Sequence, residues 1–450
     1  MNQKNTRYLI KAILNNDISR DLKKEINKLH PAEISELIEQ LPKEKREPLW
    51  KIIPPQLKGE IFLEVHGEVK KYLIKITPES ELIKTISNLQ LDEIADLDED
   101  LPIKVVNAVI KQMDSRKKEG YESIKTYPHN TAGGLMDLDT ISIRPDITIS
   151  VALRFIRYLR NKYKLLPEHF DSIYIVDNSN KFIGTVSLVE LVSLSPDIYI
   201  NKIVNKKTQA LIDTLPSNKV AKIFEDQDLI SAPVVDSVNR LLGRITVDDI
   251  VDIIRHEGEK LTMRPVGLSE KTDIFDSINR TIKLRSLWYS INLINAFIAA
   301  LTISFFSDSI DQIVSLAILM PIIASMSGVA GNQTLTLVIR GLALEQITPE
   351  NQKILFKKEL LVGFLNGLIW AFIVIIITYS WMRNFPLSLV FGVSLLLSLF
   401  LSTTAGTVIP FFLKKLKIDP ALAGSVIMVA ISDVAGFFIF LSIATFFLIN

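Results

Sequence analysis

One carboxylate stands alone in a long apolar run. Residues 418–449 open on Asp419-Pro420 and continue as about thirty nearly all apolar residues, broken by a single charge, Asp433. A run of that length can cross the hydrocarbon core of a bilayer. A carboxylate at the centre of a membrane helix costs about 3 kcal/mol on insertion scales. Asp433 is therefore expected either to pair with a neighbouring helix or to face an aqueous path as a cation site. A second apolar segment carries the other polar atoms of interest. It runs from Pro321 through Ser325, Ser327, Gly328 and Gly331 to Asn332, Gln333 and Thr334. Small residues let helix backbones approach closely. Proline lacks an N–H, and a freed carbonyl is tolerated at membrane depth only inside protein or beside water. The segment reads as a tight helix crossing or as a pore wall of carbonyls and amides, and Asp433 in the same chain favours the wall.

A second set of carboxylates lies far upstream. Asp92 and Asp96 are four residues apart, on one helical face, with Glu93 and Asp100 close by. Such a face is either solvated or one half of a site for a hard divalent cation, which takes oxygen ligands and often keeps its waters.

These residues sit in two different materials. The 450-residue chain has a formal net charge of only +1, yet residues 286–450 are strongly apolar and the rest is dense in Lys, Glu and Asp. The charge balance gives no reason to expect nucleic acid. The absence of cysteine excludes disulfides and thiolate chemistry. The five histidines, at 30, 66, 129, 169 and 256, show no metal-ligand spacing, and no nucleophile motif or phosphate loop is present, so an enzyme is not expected. The N-terminus lacks the apolar core and cleavage site of a secretory signal.

Five spans are expected, at 288–306, 313–337, 360–381, 387–413 and 421–448. Arg280, Lys283 and Arg285 precede the first, Arg340, Lys353, Lys357 and Lys358 follow the second, and Lys414, Lys415 and Lys417 lie between the fourth and fifth. The positive-inside rule places the N-terminus in the cytoplasm and the C-terminus outside. Residues 1–130 read as short stacked helices with Pro near their starts, as at Pro31, Pro54, Pro78 and Pro102. Ile34, Leu37, Ile38 and Leu41 supply a helical apolar stripe. Residues 258–285 are a linker whose part from Glu270 onward looks helical, with Ile274, Ile278 and Ile282 on one face.

Residues 131–257 contain a repeat. The stretch at 173–177, followed by 182–190, matches 232–236, followed by 241–249, as strand, turn, strand, helix; the first copy is longer upstream, around 162–170. This resembles a tandem pair of cystathionine-β-synthase-type (CBS) domains. Such pairs often bind adenosine nucleotides through a Gly-x-x-Thr/Ser-x-x-Asp pattern. Gly243, Thr246 and Asp249 match it in full; the first copy has Gly184 and Ser187, with Glu190 in place of the Asp. The resemblance implies ATP or another adenosine nucleotide as a ligand, with a nucleotide-free dimerising scaffold as the alternative.

The whole order, an all-α solenoid-like domain, an α/β CBS pair, a linker and an all-α five-helix membrane domain, resembles the MgtE family of magnesium channels and transporters. The resemblance is carried by Met320-Pro321 through Gly331-Asn332-Gln333, by 338–344 with Arg340-Gly341-Leu342-Ala343, by Gly406 before Ile409-Pro410, by Asp419-Pro420-Ala421 fourteen residues before Asp433, and by 131–136. It implies a multi-pass protein of the cell inner membrane, a homodimer conducting Mg²⁺ inward through a pore between the second and fifth spans. Asp433 would be the intramembrane Mg²⁺ site, and Gly328, Gly331, Asn332 and Gln333 would line the pore. Asp92, Asp96, Asp249, Asp252, Glu257 and Glu259 would hold regulatory Mg²⁺ that keeps the pore shut. The chain departs from the family where Val329 replaces a pore amide and where 255–266 keeps only Glu257 and Glu259 of a run of acids, so altered cytoplasmic inhibition is expected. The competing expectations are a divalent-cation exchanger or exporter, and a membrane-bound nucleotide sensor whose spans only anchor it.

Overall fold

The computed structural model describes residues 3–15, 19–163, 166, 170–268 and 272–449. His169 and most of the added length around 162–170 lie outside them. Two compact units are formed, one by Met1–Gly258 with Lys271–Asp276, the other by Glu259–Glu270 with Ser277–Asn450.

The first unit begins with ten helices: α1 Gln3–Leu14, α2 Arg20–Ile26, α3 Pro31–Glu39, α4 Lys43–Ile52, α5 Pro55–Glu64, α6 Gly67–Ile76, α7 Glu79–Ile86, α8 Leu91–Leu97, α9 Ile103–Gln112 and α10 Ser115–Lys125. Pro31 and Pro55 open their helices, and Pro54, Pro78 and Pro102 sit at the preceding caps. There a missing N–H breaks no intrahelical bond. Most of these helices pack on the next but one, α3 on α5, α5 on α7, α7 on α9, α4 on α6 and α8 on α10, which makes the stack a solenoid. Ile34, Leu37, Ile38 and Leu41 are all fully buried, as their spacing requires.

The repeat follows. After α11 (Ala132–Leu135), β1 (Ser142–Ile143) leads through α12 (Ile149–Tyr163) to β2 (Ser172–Val176), β3 (Phe182–Ser187) and α13 (Leu188–Ser193). The second copy has β4 (Leu211–Ile212), α14 (Ser217–Gln227), β5 (Ser231–Val235), β6 (Leu241–Thr246) and α15 (Val247–Met263). Both sheets share one topology, a parallel pair followed by an antiparallel hairpin, and the two glycines fall in equivalent register, Gly184 opposite Ile175 and Gly243 opposite Val234. The hairpin turns exchange bonds: Phe182 N–H donates to the Asn239 carbonyl (2.9 Å) and Leu241 N–H to that of Asn180 (3.0 Å). Both asparagines are left-handed, at φ 61° and 66°, a conformation their short amide side chains tolerate.

The second unit holds α16 (Ile278–Ser304), the short α17 (Ser307–Gln312), α18 (Ser315–Ala343), α19 (Gln352–Met382), α20 (Phe385–Lys415) and α21 (Pro420–Ala444). All but α17 are long and apolar enough to cross a membrane. The five expected spans are present, most of them extended into polar flanks. Helix α20 is the most enclosed of the five. Its Ser394, Thr403 and Thr407 hydroxyls donate to carbonyls four residues back, so this buried helix needs no other partners for them.

The linker differs from expectation. The first-span helix starts only at Ile278, and Ile274 lies in a turn, 90% exposed. The Asp273 carboxylate explains this. It accepts from the Phe275 N–H (2.9 Å) and from the Arg46 guanidinium, a local turn that competes with helix.

Candidate ion-conduction site and acidic cluster

Helix α18 is unbroken through Pro321 and the Ser/Gly stretch. The backbone of 327–333 therefore stays in the helical ladder, and side chains, not freed carbonyls, make the exposed wall. Gly328, Asn332 and Gln333 line an open groove of about 730 Å³ together with Asp433 of α21. Ala324, Ser325, Val329, Thr336, Val429 and Ser432 make up the rest of the wall. Among the described residues Asp433 makes no ion pair and no hydrogen bond. The reading of Asp433 as an acid paired with another helix of its own chain thus finds no partner here.

Gly331 is not with the others. It turns toward α20 and α21, where a Cβ would collide with the Met428 side chain. The Gly406 Cα lies so close that a Cβ on it would stand 2.5 Å from the Gly331 carbonyl. Gly436 admits Ile323 and Ser327 of α18 in the same way. These close approaches fix α18 against α21 and hold the amides and the carboxylate on one groove. The residues missed from sequence, Ser432 and Thr336, sit one position before Asp433 and one turn beyond Asn332; helical spacing alone could have named them.

The N-terminal end of α21 is also fixed. Asp419 caps it, accepting from Ala421 N–H (2.9 Å), and pairs with Arg264. Ser425 donates to the Pro265 carbonyl at 2.6 Å. Gly267, at φ 73°, leaves room for the Trp288 ring.

In the first unit, Asp92 lies within electrostatic reach of Asp249. Asp92 Oδ1 is shut off from solvent with no hydrogen-bond partner. Burial pushes its pKa up to about 8, reinforced by the charges of Asp137, Asp249 and Glu93. Burial and then Asp248 push Asp249 up to about 7, with a smaller contribution from Asp96. Burial also raises Asp96, against the pull of His129 and Lys70, but its side chain is 59% exposed and solvent screens the effect. Asp252 and Glu257 stand exposed on α15, and Glu259 belongs to the second unit. Asp137, which the sequence reading passed over, pairs with buried Arg244 at 3.3 Å. Among the described residues no three His, Asp or Glu side chains are close enough to hold a metal by themselves. Crowded carboxylates with an orphaned oxygen fit a hydrated Mg²⁺, which binds through few direct ligands and several waters.

The nucleotide pattern has a local explanation. Thr246 donates to Asp249 from both N–H and hydroxyl, each at 3.3 Å. Ser187 and Glu190 make the reciprocal capping box that starts α13. Hydroxyl and carboxylate three residues apart thus close helix N-termini. A Cβ at Gly243 would stand 2.6 Å from the Asp137 carbonyl, so the glycine serves the crossing of two backbones.

Known proteins were compared with this chain. A family model described as a divalent cation transporter matches 320–443, the MgtE intracellular N domain matches 29–130, and the CBS domain matches 132–197 and 213–256. The magnesium transporter MgtE of Thermus thermophilus is 28% identical over 442 residues, 95% of each chain. That of Bacillus subtilis is 25% identical over 430 residues, covering 95% of this chain and 94% of its own. A crystal structure of the cytosolic domain of the Mg²⁺ channel MgtE in complex with ATP is 27% identical, with a TM-score of 0.48, over 54% of this chain and 98% of that one. With its N domain, CBS pair and transporter region each matched in order, the chain belongs to the MgtE family of magnesium transporters.

Proposed function

We propose that this protein is a Mg²⁺ channel for uptake, a homodimer in the inner membrane, with Asp433 as the intramembrane ion site. The observation that carries the reading is the Asp433 carboxylate, without a partner among the described residues, on the groove that Asn332 and Gln333 share. An acid at membrane depth without a partner is costly unless it serves an aqueous path. Mg²⁺ sheds water reluctantly, so one carboxylate per subunit, with amide oxygens beside it, would hold the ion through its waters. Val329, 54% exposed on the same wall, leaves one apolar step where an amide would otherwise help. The basic residues flanking the spans support a cytoplasmic N-terminus.

Gating follows from Asp92 and Asp249. Bound Mg²⁺ offsets their repulsion and favours the closed state; its loss favours separation, a population shift by differential binding. The Thr246–Asp249 bonds favour a second reading for the CBS pair, a scaffold that needs no nucleotide. Calorimetric titration with ATP decides between them, since an adenosine ligand must compete for these two side chains.

The principal experiment is Mg²⁺ flux into liposomes holding wild type or Asp433→Asn. Flux should vanish in the variant while helicity and assembly persist. Equal flux from correctly assembled variant would refute the pore assignment.

A further inference from the structure

A second groove, of about 470 Å³, lies between α18, α19 and α20. It is amphipathic along its length. At one end are Lys358 and Glu359; at the other is Trp370, with Leu337 and Val362 on the walls. Glu359 is the unexpected member. Its side chain is only 6% exposed, while that of Lys358 is 64% exposed. Their separation is 3.5 Å, and among the described residues this is the ion pair Glu359 makes. Adjacent residues on a helix do not face each other, so the contact is a poor use of a buried carboxylate. Seven residues further along α19, Asn366 lines the same groove. On an α-helix that is about 10 Å along the axis. The opposite wall presents Gln333. Neither amide has a hydrogen-bond partner among the described residues.

We propose that this groove binds a phospholipid with a primary-amine headgroup, phosphatidylethanolamine. The assignment rests on complementarity of charge and of spacing. The headgroup carries an ammonium and a phosphate side by side, the counterparts of Glu359 and Lys358. Charge-assisted N–H bonds from the amine satisfy the buried carboxylate, which a quaternary ammonium cannot do. Ester carbonyls lie below the headgroup by about the axial rise between Glu359 and Asn366, where the two amides offer N–H donors. One acyl chain then runs on past Asn366 to cover the Trp370 ring, while Val362 and Leu337 flank the glycerol level; all three are more than a third exposed. The basic end is the right end, because Lys353, Lys357 and Lys358 open α19 and belong at the cytoplasmic headgroup level. Gln333 and Val329 line both this groove and the one holding Asp433, so the bound lipid packs directly against the wall of the ion path.

The test is lipid retention by the full-length protein. It is purified from vesicles of equal phosphatidylethanolamine, phosphatidylcholine and phosphatidylglycerol with matched acyl chains, and bound lipid is counted by native mass spectrometry. About one phosphatidylethanolamine per chain should be retained, enriched at least tenfold over phosphatidylcholine. Glu359→Gln should bring the enrichment to parity; Lys358→Gln, which loses only the phosphate contact common to both lipids, should keep the enrichment but lower total retained lipid at least about threefold, and it removes an exposed side chain and so carries the test should the first misfold. Equal retention of the amine and choline lipids by wild type overturns the proposal, as a site for any headgroup or for a free cation would give. So does absence of retained lipid, the outcome if a second copy seals the groove. So does wild-type enrichment in folded Glu359→Gln, or wild-type total retention in Lys358→Gln.

Discussion

Arg46 holds Asp273 through two parallel N–H bonds, at 2.5 and 2.9 Å, although 227 residues separate them. Arg46 is 1% exposed and gives its remaining Nε–H to the Ile38 carbonyl. The pair ties the segment just before the first span to helix α4 within the first unit. Removing one partner of such a buried pair typically costs about 3–5 kcal/mol, because the other charge is left in low dielectric. Asp273→Ala should therefore lower the thermal midpoint of the first unit markedly. Arg46→Met with Asp273→Leu should recover much of the loss, and equal melting of the single variant and wild type would count against the pair's importance.

The acidic cluster makes stability depend on pH with a definite sign. Asp92 and Asp249 have folded-state pKa values raised to about 8 and about 7, above the ordinary value of 3.8. Between those limits the folded state binds more protons than the unfolded one, so stability falls as pH rises. In chelator, the melting temperature of the full-length protein should drop from pH 5 to pH 8.5. Added Mg²⁺ should restore it at high pH, where the carboxylates are charged, and do little at pH 5. Asp92→Asn should flatten both trends, and a pH-independent Mg²⁺ effect would argue against this cluster as the sensor.

Close packing at the two-glycine crossing is required for the groove. Gly406→Val would drive side-chain atoms into the Gly331 carbonyl, and overpacking of this kind costs about 1–3 kcal/mol or more. The variant should melt lower and lose Mg²⁺ flux. Gly258→Ala, inside α15 where a Cβ meets nothing within 4 Å, is the control and should not destabilise, gaining up to about 1 kcal/mol of helix propensity.

The Arg264–Asp419 pair holds residues 264–267 on the start of α21. Because the chain has no cysteine, a single introduced thiol reports on this contact cleanly. Ser425→Cys should react with a soluble maleimide several-fold faster when Arg264→Ala is added. Unchanged labelling would mean that the segment stays seated without the ion pair.

Some of this was legible from residue order alone because it depends on local pattern. Apolar runs of membrane length gave the five spans, and Pro positions with a 3.6-residue period gave the stacked helices. A strand–turn–strand repeat gave the paired sheets. Gly328, Asn332 and Gln333 lie on one groove because spacings of four and five return to neighbouring faces of a helix. The same rule misled at Ile274, Ile278 and Ile282, where periodicity suggested one helix. A tertiary partner, Arg46, claimed Asp273 and stopped it there.

The sequence by itself determined which segments enter the membrane, that Asp433 enters with them, and that Asp92 rides on a helix. Those outcomes follow from hydrophobicity and backbone propensity, which act over a few residues. Only the tertiary structure decided that Gly331 faces α20 and α21, that Asp433 has no partner among the described residues, that Asp92 is buried within electrostatic reach of Asp137 and Asp249, and that Glu359 is buried beside a second groove. Each of these depends on which surfaces meet across tens to hundreds of residues, and burial, which sets the cost of every unpaired charge, exists only once the chain has folded.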